Sequence, residues 1–150
     1  MSVSIKNSQS NLAIAEEAVK KIVNKIFWQA RVKDYKVCIA FLNNKKIQRL
    51  NKEFLGHDYP TDVLTFPYQI AKRNQKQRFF TDIAISTEMV IKNSKLFRTS
   101  VQEELTLYII HAVLHLLGFD DTTKTKRMKM ERKQFWLLNK FRKDAMGICL

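Results

Sequence analysis

The sequence predicts an α+β fold: a single domain over residues 1–150, with a four-stranded mixed sheet, mostly parallel with one antiparallel strand, covered by about five helices. Three observations lead there. A chain of 150 residues with 45% apolar and 27% charged side chains can bury one core without disulfide or metal staples. Apolar residues recur at helical spacing in some segments and in short compact runs in others, and the two kinds of segment interleave. Only three glycines and two prolines occur, with no repeat or low-complexity block, so no long linker divides the chain.

Val3 and Ile5 alternate with polar neighbours and read as a short edge-like strand. Leu12, Ala15, Val19, Ile22, Val23 and Ile26 then give an amphipathic helix, with Asn11 as its N-cap. Residues 36–42 form a branched apolar run, expected as a buried strand. Asn43 or Asn44 caps a second helix, with Ile47, Leu50 and Phe54 on its inner face and Gly56 closing it. Residues 57–61 are turn material, where Pro60 holds its predecessor extended. Val63 to Phe66 reads as a strand stopped by Pro67. Residues 71–80 form a basic loop, and Asp82 to Ser86 a further buried strand. A helix over about 87–97 follows. Ser100 and Glu103 form a capping-box pattern ahead of a helix reaching about Leu117, and Gly118 gives it a left-handed stop. The last helix, roughly 123–143, places Met128, Phe135, Leu138 and Phe141 on one side. Helical crossovers between the first three strands make those parallel, and the loop before the fourth leaves one antiparallel pairing.

The charge balance is less ordinary. Lys and Arg number 27 against 14 Asp and Glu, a formal net charge of +13, which predicts attraction to polyanions, nucleic acid first. A merely basic surface or a contact with anionic membrane stays open on composition alone. The two cysteines, Cys38 and Cys149, are far apart and imply neither a disulfide framework nor a cysteine zinc site. No signal-peptide pattern opens the chain. The longest apolar stretch, Leu105 to Leu117, falls short of the roughly 20 residues of a membrane span. A cytoplasmic location is the expectation.

The segment that carries chemistry is His111-Ala-Val-Leu-His115-Leu-Leu-Gly118-Phe-Asp120-Asp121. Residues four apart on a helix lie one above the other, so both imidazoles can reach one small cation. Gly118 lets the chain reverse, and Asp121 can swing back toward the same point. Three N/O ligands with an open fourth position describe a catalytic zinc site. One divalent metal ion, zinc first, is therefore the expected cofactor, with Asp120 as an outer supporting or capping group. A lone histidine in an apolar helix is more often a hydrogen-bonded core residue, but two at this spacing are costly without a shared purpose. The spacing also resembles the metzincin protease signature. That signature has Glu directly after the first histidine, where this chain has Ala112. A small metalloprotease is accordingly the weaker reading.

With this segment in view, the chain resembles the bacterial YbeY family of rRNA maturation endoribonucleases. The histidine segment corresponds to that family's H-G-x-L-H-L-x-G-Y-D-H, and Asp58-x-Pro60-Thr61-Asp62-Val63-Leu64-Thr65-Phe66-Pro67 to its P-T-D-V-L-S-F-P block. Asp82 to Ser86 fits the strand that follows in the family. The resemblance implies a metal-dependent, single-strand-specific endoribonuclease acting in maturation of the small-subunit rRNA 3′ end and in ribosome quality control. Its implied partners are ribosomal RNA and the ribosome or ribosomal proteins, with no membrane and no DNA. It also implies a zinc ligand set carried onto His111, His115 and position 121. Three departures stand out: the family's third histidine is Asp121, the glycine after the first histidine is Ala112, and the arginine after the second helix is Leu55. Lys52, Arg49 and His57 are the candidates to replace that arginine's charge. A non-catalytic RNA- or ribosome-binding factor with a structural metal is the alternative these departures raise.

Thr61 and Asp62 read as support for the cleft at least as readily as catalytic groups, and His57 is a candidate for proton transfer. Residues 122–143 carry nine Lys and Arg against the single acid Glu131. Lys124, Lys126 and Arg127, with Lys72, Arg73, Lys76 and Arg78 of the basic loop, are the expected RNA-binding rim. Phe79, Phe80 and Tyr68 are candidates for base stacking, with core packing the stronger reading.

Overall fold

The computed structural model describes residues 2–67 and 78–150, with only the backbone of Arg78. The chain runs β1 (Ser2–Asn7), α1 (Glu16–Gln29), β2 (Asp34–Leu42), α2 (Asn44–Leu55), β3 (Val63–Pro67), β4 (Arg78–Ser86), α3 (Thr87–Phe97), α4 (Val101–Leu116), α5 (Lys124–Lys140) and α6 (Arg142–Met146). These form a four-stranded mixed sheet in the order β1-β2-β4-β3, with six helices among the described residues. The expected single last helix breaks at Phe141 into α5 and the five-residue α6.

The parallel set is β1, β2 and β4, and the antiparallel member is β3, paired to β4 at the sheet edge. The expected antiparallel pairing is therefore present, but β3 does not join the first two strands as a parallel neighbour. The reason is topological. β4 takes the place beside β2, matching Ile39 to Ile83 and Phe41 to Ile85, and β3 folds back on β4's outer edge.

Alternation along the strands splits the core. Val37, Ile39, Phe41, Ile83 and Ile85 face a large cluster built with α1, α4, α5 and α6. Leu42, Leu64 and Ala84 turn to the other face, where Ile47 of α2 closes a smaller cluster. Helix α4 is apolar nearly all round, with Leu105, Ile109, Ile110, Ala112, Val113 and Leu114 buried, as suits a helix enclosed by others.

Local chemistry sets the helix ends. Ser100, Asn43 and Thr123 each accept from the backbone N–H three residues on, capping α4, α2 and α5. Asn43, not Asn44, is the cap of α2, and Gly56 ends that helix at φ 71°. The expected cap Asn11 does not serve. α1 begins at Glu16, and the Ala15 N–H donates to the Ile148 carbonyl while Ile14 bridges Cys149. The C-terminal backbone thus anchors the residue before α1, which has no side-chain cap.

Two inner-face expectations differ. Phe54 is 60% exposed and meets Phe66 edge-on, while Asn51 is buried and donates to the Tyr59 carbonyl, pinning the 57–61 turn onto α2. On α5, Met128 and Phe135 are exposed and Met130, Leu137 and Leu138 are the buried stripe. No described helix is long and apolar enough to cross a membrane.

Asp144 of α6 ties that helix to α1 through Lys25 at 2.6 Å and Lys21 at 3.3 Å. The Lys25 hydrogen bond, assisted by Lys21, holds its carboxyl below the usual carboxylate range. A depressed folded pKa gives stability that is present above the unfolded value and lost as pH falls through the folded one. Asp144→Asn should therefore lower stability at neutral pH by about 1 kcal/mol, the screened worth of half-exposed lysine partners. The difference from the unsubstituted chain should begin to shrink as pH falls below about 4 and vanish only once pH is below the depressed folded value, read from denaturant midpoints across pH.

Candidate metal centre

α4 ends in a turn that gives the site its shape. The Phe119 N–H donates to the Leu114 carbonyl and the Gly118 N–H to the His115 carbonyl, both typical of a Schellman turn. Gly118 takes φ 97°, a left-handed conformation that a side chain would strain. Phe119 packs back on the core. The chain reverses one turn after His115 and returns Asp121 to the flank that both histidines occupy.

There the three side chains converge. His111 Nε2 and His115 Nε2 lie 3.0 Å apart. Asp121 Oδ2 stands 3.9 Å from the first and 3.8 Å from the second. Among the described residues these are the three brought together as a group able to hold a metal ion, with one ligand atom of each within 4.8 Å of the others. Two metal–ligand bonds of about 2.0–2.1 Å span at most about 4.2 Å, so one ion can bond all three of these atoms. The donor chemistry, two imidazoles and a carboxylate, fits zinc and its neighbours. Each side chain is a third to a half exposed, which leaves an open side for water or substrate.

A fourth residue, unmarked in the sequence, orients the group. Gln134 Oε1 of α5 lies 2.6 Å from His111 Nδ1. An amide oxygen can only accept, so Nδ1 carries the proton and Nε2 presents its lone pair to the common point. Nothing in a run of lysines and arginines singles out one amide. Only the packing of α5 on α4 brings Gln134 to His111.

The remaining candidates fall around this centre. Asp120 turns away: Oδ1 accepts from the Thr122 N–H and hydroxyl, and Oδ2 pairs with Lys126 at 3.3 Å. The Thr122 bonds, then Lys126, hold its carboxyl below the ordinary range. It shapes the turn into α5. Asp62 Oδ1 accepts from the Val63 N–H and the Thr61 hydroxyl, while the Asp62 carbonyl accepts from the Ser86 N–H. Thr61 and Asp62 thus fasten the start of β3 to the end of β4. His57 is not gathered into the three-residue group; its ring stacks on Tyr59.

Thr65, Pro67, Phe79, Phe80 and His115 line a hollow of about 220 Å³ beside the histidines. Lys124, Lys126 and Arg127 are exposed in the first turn of α5. Arg78 begins β4, and Lys72, Arg73, Lys76 and Tyr68 lie outside the described residues. Leu55 is exposed, and Lys52 is paired with Asp58 at 3.5 Å.

Fold and site together define a small α+β protein with a two-histidine, one-carboxylate donor group at a helix end, open to solvent. Residues 4–142 match the family model described as Endoribonuclease YbeY, and the chain belongs to that family. It is 31% identical over 147 residues to the Clostridioides difficile protein described as Endoribonuclease YbeY, across 93% of this chain and 96% of that protein. The Chlorobium phaeovibrioides protein of the same description is 31% identical over 134 residues, across 89% and 86% of the two chains. The fold is similar to the solution structure of a Thermotoga maritima protein, with a TM-score of 0.63 at 23% identity, covering 95% of this chain and 93% of that one.

The Gln134 contact has a direct consequence. Gln134→Ala should weaken zinc binding about 10- to 100-fold, the usual effect of removing the partner that orients a metal-binding histidine. Gln134→Glu should restore or strengthen it. Competition with a chromophoric chelator reads both.

Proposed function

We propose that the chain is a metal-dependent endoribonuclease, specific for single strands, acting in small-subunit rRNA 3′ end maturation and ribosome quality control in the cytoplasm. The observation that carries this is the convergence of His111, His115 and Asp121, aimed by Gln134 and set beside a basic helix start. Membership of a family described by its endoribonuclease activity supplies the substrate class.

A divalent ion held by the three residues, zinc first, would supply Lewis-acid polarisation of a phosphoryl oxygen and acidification of water. The protein's own groups do the rest. His111 is fixed in ring orientation and tautomer by Gln134, and Asp121 by the reversal at Gly118. Lys124, Lys126 and Arg127 stand at the positive end of the α5 dipole, with no acid in that turn. Cations there are unfavourable for the helix and favourable for a phosphate. The hollow beside His115 has Phe79 and Phe80 on its wall and suits one splayed base more than a duplex groove. Lys72, Arg73, Lys76 and Arg78 are proposed as a second part of the rim on their charge alone. His57, stacked on Tyr59 and outside the three-residue group, remains the candidate for proton transfer.

The second reading, an RNA-binding factor without catalysis, is favoured by one observation. Leu55 stands where the resemblance expects an arginine, and Lys52 is engaged with Asp58. One experiment separates the readings: purified protein, with and without chelator, is given single-stranded RNA, duplex RNA and casein. The expected result is chelator-sensitive cleavage of the single strand, lost in His115→Ala and in Asp121→Ala. Binding without cleavage assigns the factor, and cut casein the protease. Replacing Lys124, Lys126 and Arg127 with Ala should reduce the slope of log affinity against log salt by about 2, near 0.7 per lost phosphate contact.

A further inference from the structure

A second concave surface lies away from the histidines, on the outer side of α1 and the turn into β2. Its volume is about 710 Å³, and Lys20, Lys21, Lys25 and Lys33 line it around Trp28. Lys20 pairs with Glu17, and Lys21 and Lys25 share Asp144, so four ammonium groups face two carboxylates and the surface stays net positive. Trp28 is 76% exposed, an indole left in water at the last turn of a helix whose inner face is fully buried. The turn beside it closes as α4 does: the Arg31 N–H donates to the Trp28 carbonyl and the Val32 N–H to the Phe27 carbonyl. Its left-handed residue, however, is Arg31 at φ 59°, where glycine would be unstrained.

Shared lining residues lead from this surface toward the turn that ends α4. Val32 lines both the surface and a groove between α1 and the end of α4, and Leu117 and Phe119 of that groove also line the hollow at Asp120. Lys133, Lys129 and Lys126 follow the same path. A flat exposed indole among ammonium groups has the chemistry of a single-stranded nucleic acid subsite: cations track the backbone and the ring stacks on a base. An acidic protein surface would satisfy the lysines and leave the indole without a planar partner.

We propose that single-stranded RNA leaving the metal centre runs over the α4–α5 turn and along this path, and that one of its bases stacks on Trp28. The inference rests on the reading of the chain as an RNA-binding protein and adds an anchoring subsite remote from the metal ligands. A strand long enough to reach Trp28 is held more tightly than one that fills only the histidine end.

The test uses the full chain with Trp136→Phe, which leaves Trp28 as the single indole, since the sequence has two. Oligouridines of about 4 and about 16 nucleotides are titrated against its fluorescence and against binding. The long oligouridine is expected to quench Trp28 and the short one not. Trp28→Ala is expected to weaken the long one about tenfold, with no comparable loss on the short one. Lys33→Glu should act in the same direction through charge. Equal affinity of Trp28→Ala and the parent for the long oligouridine overturns the proposal. So does quenching by polyglutamate or by phosphatidylserine vesicles in place of RNA. If Trp28 is quenched by RNA that is never cut, the nuclease reading fails and this subsite stands. If chelator-sensitive cleavage is found with no length dependence of affinity, only the subsite falls.

Discussion

Helix α4 has to satisfy two demands that pull against each other. It is the apolar axis of the fold, enclosed by α1, α3, α5 and α6, and it also carries two imidazoles whose polar atoms cannot be buried without partners. The conflict is resolved along one flank, where His111 and His115 meet each other, Asp121 and Gln134. Everything near the site follows from that flank. The helix must stop one turn after His115, the next helix must present an acceptor to His111, and the intervening turn must return a carboxylate. A glycine in the left-handed region and the Asp120–Thr122 turn perform the second reversal and the approach to α5.

The position of the site in the sheet is also a consequence of packing. Pro67 at the end of β3 and Phe79 near the start of β4 line the hollow beside His115. The chemistry is thus gathered at the starting edge of the parallel strand β4, not at the carboxyl edge where open α/β sheets usually hold ligands. α4 decides this, since its own end carries the donors. The strands serve as a wall, and Asp62 secures that wall by bridging the start of β3 to Ser86.

How much of this was legible in the sequence depends on whether the signal was local. The histidine pair, the stop at Gly118 and the return at Asp121 are a spacing argument confined to a few turns of chain, and the structure brings those three side chains together. The caps at Asn43 and Ser100 are equally local. Long-range choices were not legible. Nothing near β3 says that β4 will take the place beside β2, because the choice rests on apolar matching across separate segments. Asn11 is not the cap of α1, because backbone from the far end of the chain pairs with residues 14 and 15 and the helix starts after them. Phe54, Met128 and Phe135 look like core residues by type, yet each lies outside the buried stripe of its helix. Gln134 had no signal at all, since its role exists only across the α4–α5 contact.

All three donors come from residues 111–121, a single short stretch of chain. Bringing them together therefore carries little loop-closure entropy, because no distant segments must first be docked. A chain with its sheet disrupted but the end of α4 intact would keep much of its affinity for the cation, and linkage to global stability shrinks when the non-native state also binds. An ion held there would be a local clasp, suppressing fraying of the α4 end and opening of the α4–α5 turn. Its effect belongs in the amide exchange of those residues and much less in that of β1 and β2.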